Sequence, residues 1–257
     1  FGARVPGTSY QLDPVQAAFN VGTMVSWLQA NDPALATESG HLADNLGAIL
    51  AVADYRARKA IAEGDTPPRV HDLFAALIRA HELASLEWAR SVGGNEAWNA
   101  SDRANASAAA RYALTRIASA ACAVTLLGGS EDQVAAAVAI ARSEGHATGC
   151  PGAAPDLDGH DRWRIGDATS RGVRLALIAL ADQTAPPSLS PPSDEAAMQR
   201  AVMDELDQPW QAVAATRAVA DRVRDRLATC VATHFPAVQA GKLIAMFADR
   251  ASLEALP

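Results

Sequence analysis

Positive charge is in short supply in this chain of 257 residues, where 22 lysines and arginines stand against 29 aspartates and glutamates for a net charge of -7. That balance gives nucleic acid and anionic membrane surfaces no electrostatic reason to bind. Aromatic residues make up only 5% of the chain, and β-branched or aromatic runs at strand periodicity are nearly absent, which argues against a sheet protein. No apolar run approaches the roughly 20 residues that a spanning helix needs. Cysteine is scarce too. Cys122, Cys150 and Cys230 are odd in number and far apart, with no CxxC and no His/Cys ligand spacing, so neither a disulfide framework nor a zinc site is indicated. Reduced thiols in a cytoplasmic protein are the expectation. No signal peptide is visible, and the opening residue Phe1 leaves room for a preceding segment.

What is abundant is alanine, leucine and valine. Hydrophobic residues form 49% of the chain, enough to bury a full core, and alanine is the best helix former. The expected fold class is therefore all-α. Phe1 to Pro14 reads as an extended arm with a turn at Pro6-Gly7, and Asp13-Pro14 reads as the entry to a first helix. Helices are expected over Val15 to Ala30, Asp44 to Glu63, Val70 to Ser91, Asp102 to Leu127 and Glu131 to Ser143. Gly128-Gly129 should close the fourth and Ser130 should cap the fifth. A long irregular stretch, Gly145 to Arg164, carries His146, Cys150, His160, Asp161 and Arg162, and long loops in compact domains tend to be functional. Gly166-Asp167-Ala168-Thr169-Ser170 is then read as a turn before a helix over Arg171 to Ala181. Such a turn is first a cap, or else it presents backbone N–H groups, with Thr169 and Ser170, to a ligand carboxylate. The proline-rich run Ala185 to Ser193 reads as a stiff linker. Helices over Asp194 to Asp207, Trp210 to His234 and Pro236 to Leu253 complete the chain.

Chemistry concentrates in two places. Between Phe19 and Tyr55 an apolar helix breaks at Asn31-Asp32-Pro33, passes through a polar loop, reaches His41 and restarts as a helix. In the segment Arg79 to Leu83, His81 follows Phe74, Leu77 and Ile78 at helical spacing, a pattern that predicts a buried face. Two histidines near neutral pKa, with Asp32 to orient one of them and Gln29 or Asn45 as neutral donors, suffice for proton abstraction and return. The alternative is that both are buried and idle. His71 and His234 are read as solvated or structural. No Ser/His/Asp order or metal-ligand spacing stands out, and no cofactor is expected.

The segments GARVPGTSYQLDPVQAAFNVGTMVSWL, GHLADNLGAILAVADY, RAHEL, RWRIGDATSRGVRLALIAL and HFPAVQAGKLIAMFADRASLEALP resemble, in order, the helical domain of the MmgE/PrpD family. The resemblance covers Phe1 to about Ala181 and again about Arg222 to Pro257. Between those blocks the family carries an α+β lid domain, whereas this chain has residues 185–221, read as a linker and short helices. It thus reads as a single helical domain over 1–257. The resemblance implies a homodimer that acts without metal on a small polycarboxylate, by removing or adding a proton next to a carboxylate. Residue by residue, Asp32, His41, Asn45 and His81 match the family's motifs; the candidate catalytic residues are His41, His81 and Asp32, with Gln29, Asn45, His146, Thr169 and Ser170 as candidate substrate contacts. Three positions depart from the family pattern: Gln29 stands where the family has a carboxylate, Pro33 where it has a hydroxyl, and Asp161 where it has a basic residue.

Those departures bear on the substrate, because a tricarboxylate taken out of water needs several cations or aimed N–H donors. Three readings follow. The first is a lyase or isomerase with a wider, less cationic cleft, using histidine-mediated proton transfer for isomerisation, elimination or cyclisation of a larger or less charged small molecule, in specialised biosynthesis. The second is a conventional dehydratase of a polycarboxylate such as 2-methylcitrate. The third is a catalytically inactive helical dimer that serves as a binding module.

Overall fold

In the computed structural model, residues 1–28, 42–92, 100–144, 162–181, 217–249 and 251 are described. Among them the chain is all-α apart from one small hairpin. Strands β1 (Ala3–Arg4) and β2 (Gln11–Leu12) pair antiparallel, with Ala3 opposite Leu12. The expected extended arm is therefore folded back on itself, and Gly7 adopts a positive φ of 74° in the turn, where a side chain would be strained. The Asp54 carboxylate holds the hairpin in place. It accepts from the Arg4 backbone N–H at 2.8 Å and from its guanidinium at 3.0 Å.

Helix α1 (Pro14–Trp27) starts as its sequence predicts: Pro14 is the first helical residue and the Asp13 carboxylate accepts from the N–H groups of Val15 and Gln16. A short 3-10 turn, Leu42–Asn45, leads into α2 (Leu46–Glu63). Then come α3 (Val70–Val92), α4 (Ala100–Leu126) and α5 (Glu131–Ser143). Gly128, with φ of 84°, ends α4 as expected, donating to Thr125 while Gly129 donates to Val124. The expected cap of α5 is a full capping box between Ser130 and Gln133.

Helix α6 corrects the sequence reading. It runs from Arg162 to Ala181, so the motif from Gly166 to Ser170 lies inside a helix and is not a turn before one. The reason is tertiary. Helix α6 crosses α1 so closely that a Cβ on Gly166 would lie 2.5 Å from the Phe19 carbonyl oxygen, an approach that a regular helix with glycine at the contact permits. Ile165, Ala168 and Thr169 are buried on that face.

The six helices form one body. Helix α6 packs against both α1 and α4, α4 against α3 and α5, and α1 against α2. The core is built largely from alanine, with Ile49, Val52, Val124, Val173 and Leu175 among its larger members. Beyond it, α7 (Arg217–His234) and α8 (Ala237–Ala248) pack on each other. Helix α8 stops at Ala248, short of the expected Leu253, because Asp249 turns extended and its carboxylate accepts from the Ala251 N–H. The expected helix over Asp194 to Asp207 and the proline-rich linker lie outside the described residues.

Candidate functional site

One end of the six-helix body gathers a set of ion pairs. Helix α4 supplies the scale along which the other elements can be placed. Near its middle, Arg111 meets Asp44, Tyr112 lies under Arg164, Arg116 meets Glu144 and the Ala141 carbonyl, and Ser119 meets Asn45. Further along, the Leu126 carbonyl accepts from Arg56 and Gly129 packs on Leu180. The start of α2, the end of α5 and the start of α6 therefore share one end. The end of α3 joins them through a Glu87–Arg142 pair. Residues 28, 42, 144 and 162 all lie at this end. Gln29, Asp32, His41 and His146 lie outside the described residues.

The end is held by ion pairs. The Asp44 carboxylate, 2% exposed, accepts two bonds of 2.6 Å from the Arg111 guanidinium, the fork geometry that gives an Arg–carboxylate pair its direction. Glu144 joins α5 to α6 and α4: the Arg171 guanidinium donates to it at 3.0 Å, and Arg116 lies 3.7 Å away. The hydrogen bond from Arg171, helped by the charges of Arg171 and Arg116 and opposed by burial, holds the Glu144 carboxyl below the usual carboxylate range. Burial pulls the Arg116 guanidinium below its ordinary value, with Glu144 acting against that. Arg164 stacks over the Tyr112 ring at 5.1 Å from its centroid.

Among the candidates within the described residues, Asn45 is buried in the 3-10 turn, where its Oδ1 accepts from the Ser119 hydroxyl at 3.0 Å. His81 needs correction. It is half-buried, and the face it shares with Phe74 and Ile78 is the outer one, those residues being 48% and 51% exposed. The buried stripe of α3 is Ala76, Ala80 and Ala84, small residues that let α3 approach α4 closely enough for the Cys122 thiol to donate to the Ala76 carbonyl at 3.2 Å. Helix α3 also touches the 3-10 turn, so the helix bearing His81 abuts the turn that directly follows His41 in the chain. The Thr169 hydroxyl is fully buried between the carbonyls of Ala18 and Gly166, at 3.1 and 2.9 Å, and the Ser170 hydroxyl donates back to Asp167. Both hydroxyls are thus engaged with backbone. His71 and His234 are exposed, as expected.

Sequence reasoning passed over Asp44, Arg111, Ser119 and Glu144. A signal for two of them was present: Arg111, Thr115 and Ser119 recur every four residues along an alanine-rich helix, and Thr115 and Ser119 are both buried. A polar stripe on a buried face needs partners. Their identity lay in another element, beyond the reach of local pattern.

Residues 1–211 match the family model described as the MmgE/PrpD N-terminal domain. The chain is 42% identical over 187 residues to 2-methylcitrate dehydratase of Salmonella typhimurium, a match covering 73% of this chain and 36% of that protein. The same identity holds over 191 residues with 2-methylcitrate dehydratase of Cupriavidus necator, covering 73% of this chain and 37% of the relative. The 2-methylcitrate dehydratase-like protein oryR of Aspergillus oryzae is 34% identical over 185 residues, 71% of this chain and 35% of that protein. The chain thus spans little more than a third of the length of the curated relatives it matches.

Proposed function

We propose, from the premise that the chain belongs to the MmgE/PrpD family, that it carries out histidine-mediated proton transfer on a small molecule less charged than a tricarboxylate. The relatives' printed names describe dehydratases, which eliminate water across a carbon–carbon bond. That chemistry needs a base to take a proton and an acid to protonate the leaving hydroxyl. In our reading His41 and His81 divide those two roles, Asp32 orients an imidazole, and Gln29 and Asn45 act as neutral donors. A positioned acid or base of this kind contributes about 100- to 10,000-fold to a rate.

One observation carries the substrate class. Arg111, Arg116, Arg142, Arg164 and Arg171 all stand at the loop end, and each has a carboxylate or aromatic partner from the protein itself. Recruiting Arg111 or Arg142 for a substrate carboxylate would strip the largely buried Asp44 or Glu87 of its counter-charge, a change that costs several kcal/mol. Asp161, acidic where the family has a basic residue, points the same way. A second reading, conventional dehydration of 2-methylcitrate, is favoured by the 42% identity to enzymes of that name.

Both readings meet in one assay. The protein is incubated in D2O with 2-methylcitrate, citrate and a panel of monocarboxylic β-hydroxy and α,β-unsaturated acids and esters, and deuterium uptake and loss of water are followed by NMR. The expected outcome is exchange or elimination on a less charged member, lowered at least about 100-fold in His41→Asn and in His81→Gln. Turnover of 2-methylcitrate near the median enzyme rate of about 10 per second would decide for the second reading. Full activity in both variants would remove the histidine pair from the chemistry.

A further inference from the structure

We infer that the outer face of α3 is a self-pairing surface: two copies of this chain meet there, helix against helix, antiparallel about a two-fold axis at the level of Ala76. The inference concerns a surface and is independent of the histidine chemistry proposed above.

Helix α3 carries its bulk on the wrong side for a helix that faces water. Ala76, Ala80 and Ala84 are buried against the body, while Phe74 and Ile78 are about half exposed. An amphipathic helix at a solvated surface has the reverse arrangement. The neighbours of α3 among the described residues are α4, α2 and the 3-10 turn, and none of these covers Phe74 or Ile78. On the helical period, His71, Phe74, Ile78 and Glu82 form one stripe opposite the alanines. The two flanks of that stripe differ. Asp72 and Arg79, seven residues and nearly two full turns apart, lie on one flank, and Leu77 lies on the other.

The flanks decide the orientation. In an antiparallel pair of helices related by a two-fold axis each flank meets its own copy, whereas in a parallel pair it meets the opposite flank. An antiparallel pair centred at Ala76 brings Asp72 of one copy beside Arg79 of the other, His71 beside Glu82 and Phe74 beside Ile78, and symmetry makes each contact twice. The Leu77 flanks then meet as an apolar edge. A parallel pair would set Asp72 and Arg79 against Leu77 and leave both charges unmatched. The groups are available for pairing. Arg79 and Glu82 are exposed, and neither takes part in an ion pair among the described residues. The Asp72 carboxylate is fixed by the Arg69 N–H, which donates to one oxygen at 2.8 Å, and its side chain is still 51% exposed. Exposed ion pairs add little affinity but select partner and register, and the apolar stripe supplies the rest. One helix pair makes a small interface, so association in the micromolar range is expected.

The test uses the full chain and needs no substrate. Sedimentation velocity at micromolar concentration should give twice the chain mass for the parent. Ile78→Arg should raise the dissociation constant at least about thirtyfold and Arg79→Glu roughly tenfold, with circular dichroism showing parental helix content in both. Arg174→Glu, the same charge change on the exposed side of α6, should leave association unchanged. Combining Arg79→Glu with Asp72→Arg rebuilds the pair with its signs exchanged and should recover the dimer. Orientation is read by oxidative cross-linking in a background carrying Cys150→Ser and Cys230→Ser, where the remaining Cys122 is buried. Ala75→Cys, close to the two-fold axis, should link to its own copy, and Glu82→Cys, about 18 Å from its counterpart along the helix, should not. A parent that stays monomeric, a dimer that persists in both Ile78→Arg and Arg79→Glu, a charge exchange that fails to recover association, or equal cross-linking of Ala75→Cys and Glu82→Cys would each overturn the proposal. The first outcome would assign the face to a different occupant, the second would move the dimer to another face, and the last would make the pair parallel.

Discussion

Gly47 shows how tightly single residues constrain this body. A Cβ built there would lie 2.7 Å from both the Cα and the amide nitrogen of Gly22 and 2.9 Å from the Ala18 carbonyl oxygen. These are backbone atoms, so α1 as a whole would have to move. On helix propensity alone Gly47→Ala should stabilise by up to about 1 kcal/mol, whereas overpacking costs roughly 1–3 kcal/mol. Because the clash cannot be relieved by a side-chain rotation, overpacking should win. We expect Gly47→Ala to lower the midpoint of thermal unfolding by roughly 3–6 °C, about 1–2 kcal/mol at this chain length. A midpoint equal to or above that of the parent would show that α1 and α2 are not held this close. The same scale separates two cysteines: burial pushes the Cys122 thiol up to about 12, which makes it inert at neutral pH, while Cys230 is exposed.

At the scale of elements, the junction of α4, α5 and α6 rests on Glu144, and this sets a pH dependence. The folded-state pKa of Glu144 is held below the unfolded value, chiefly by the hydrogen bond from Arg171. A depressed carboxylate contributes stability that is present above the unfolded pKa and lost as pH falls through the folded one. Asp54, which anchors the hairpin to α2, behaves alike: burial alone would raise it, but the bonds and charge of Arg4 outweigh that and leave it lowered. The unfolding midpoint should therefore draw no pH dependence from these two groups between pH 7 and about 5, and should fall below about pH 4. Glu144→Gln should flatten part of that fall, and an acid limb of equal steepness in the variant, measured by circular dichroism, would take Glu144 out of the account. Helix α3 teaches a second lesson at this scale. Its large apolar residues predicted the buried face, but close packing on α4 selected the alanines and left Phe74 and Ile78 outside.

At the scale of the whole molecule, apolar surface remains uncovered. Helix α8 exposes Val238 to 74% and Phe247 to 48%, and Ala240 is its one buried residue. We expect a homodimer, as the family resemblance implies, visible as twice the chain mass in sedimentation velocity at micromolar concentration. Only monomer under those conditions would count against it. No helix among the described residues is long and apolar enough to cross a membrane.

The boundary between what the sequence determined and what tertiary structure decided follows the range of the forces involved. Helix starts and stops at Asp13-Pro14, Ser130 and Gly128 were legible, since caps and glycine conformations act over four or five residues and depend on nothing farther away. The all-α class followed from composition, because helix propensity summed over many alanines is itself a local quantity. The segments carrying the family resemblance were legible as strings of residues. By contrast, the start of α6 at Arg162, the inner face of α3 and the pairing of Asp44 with Arg111, 67 residues away, were decided only in three dimensions. Close approach of two helices favours small residues over large ones. A buried charge takes whichever partner the topology brings near, and no local pattern holds that information.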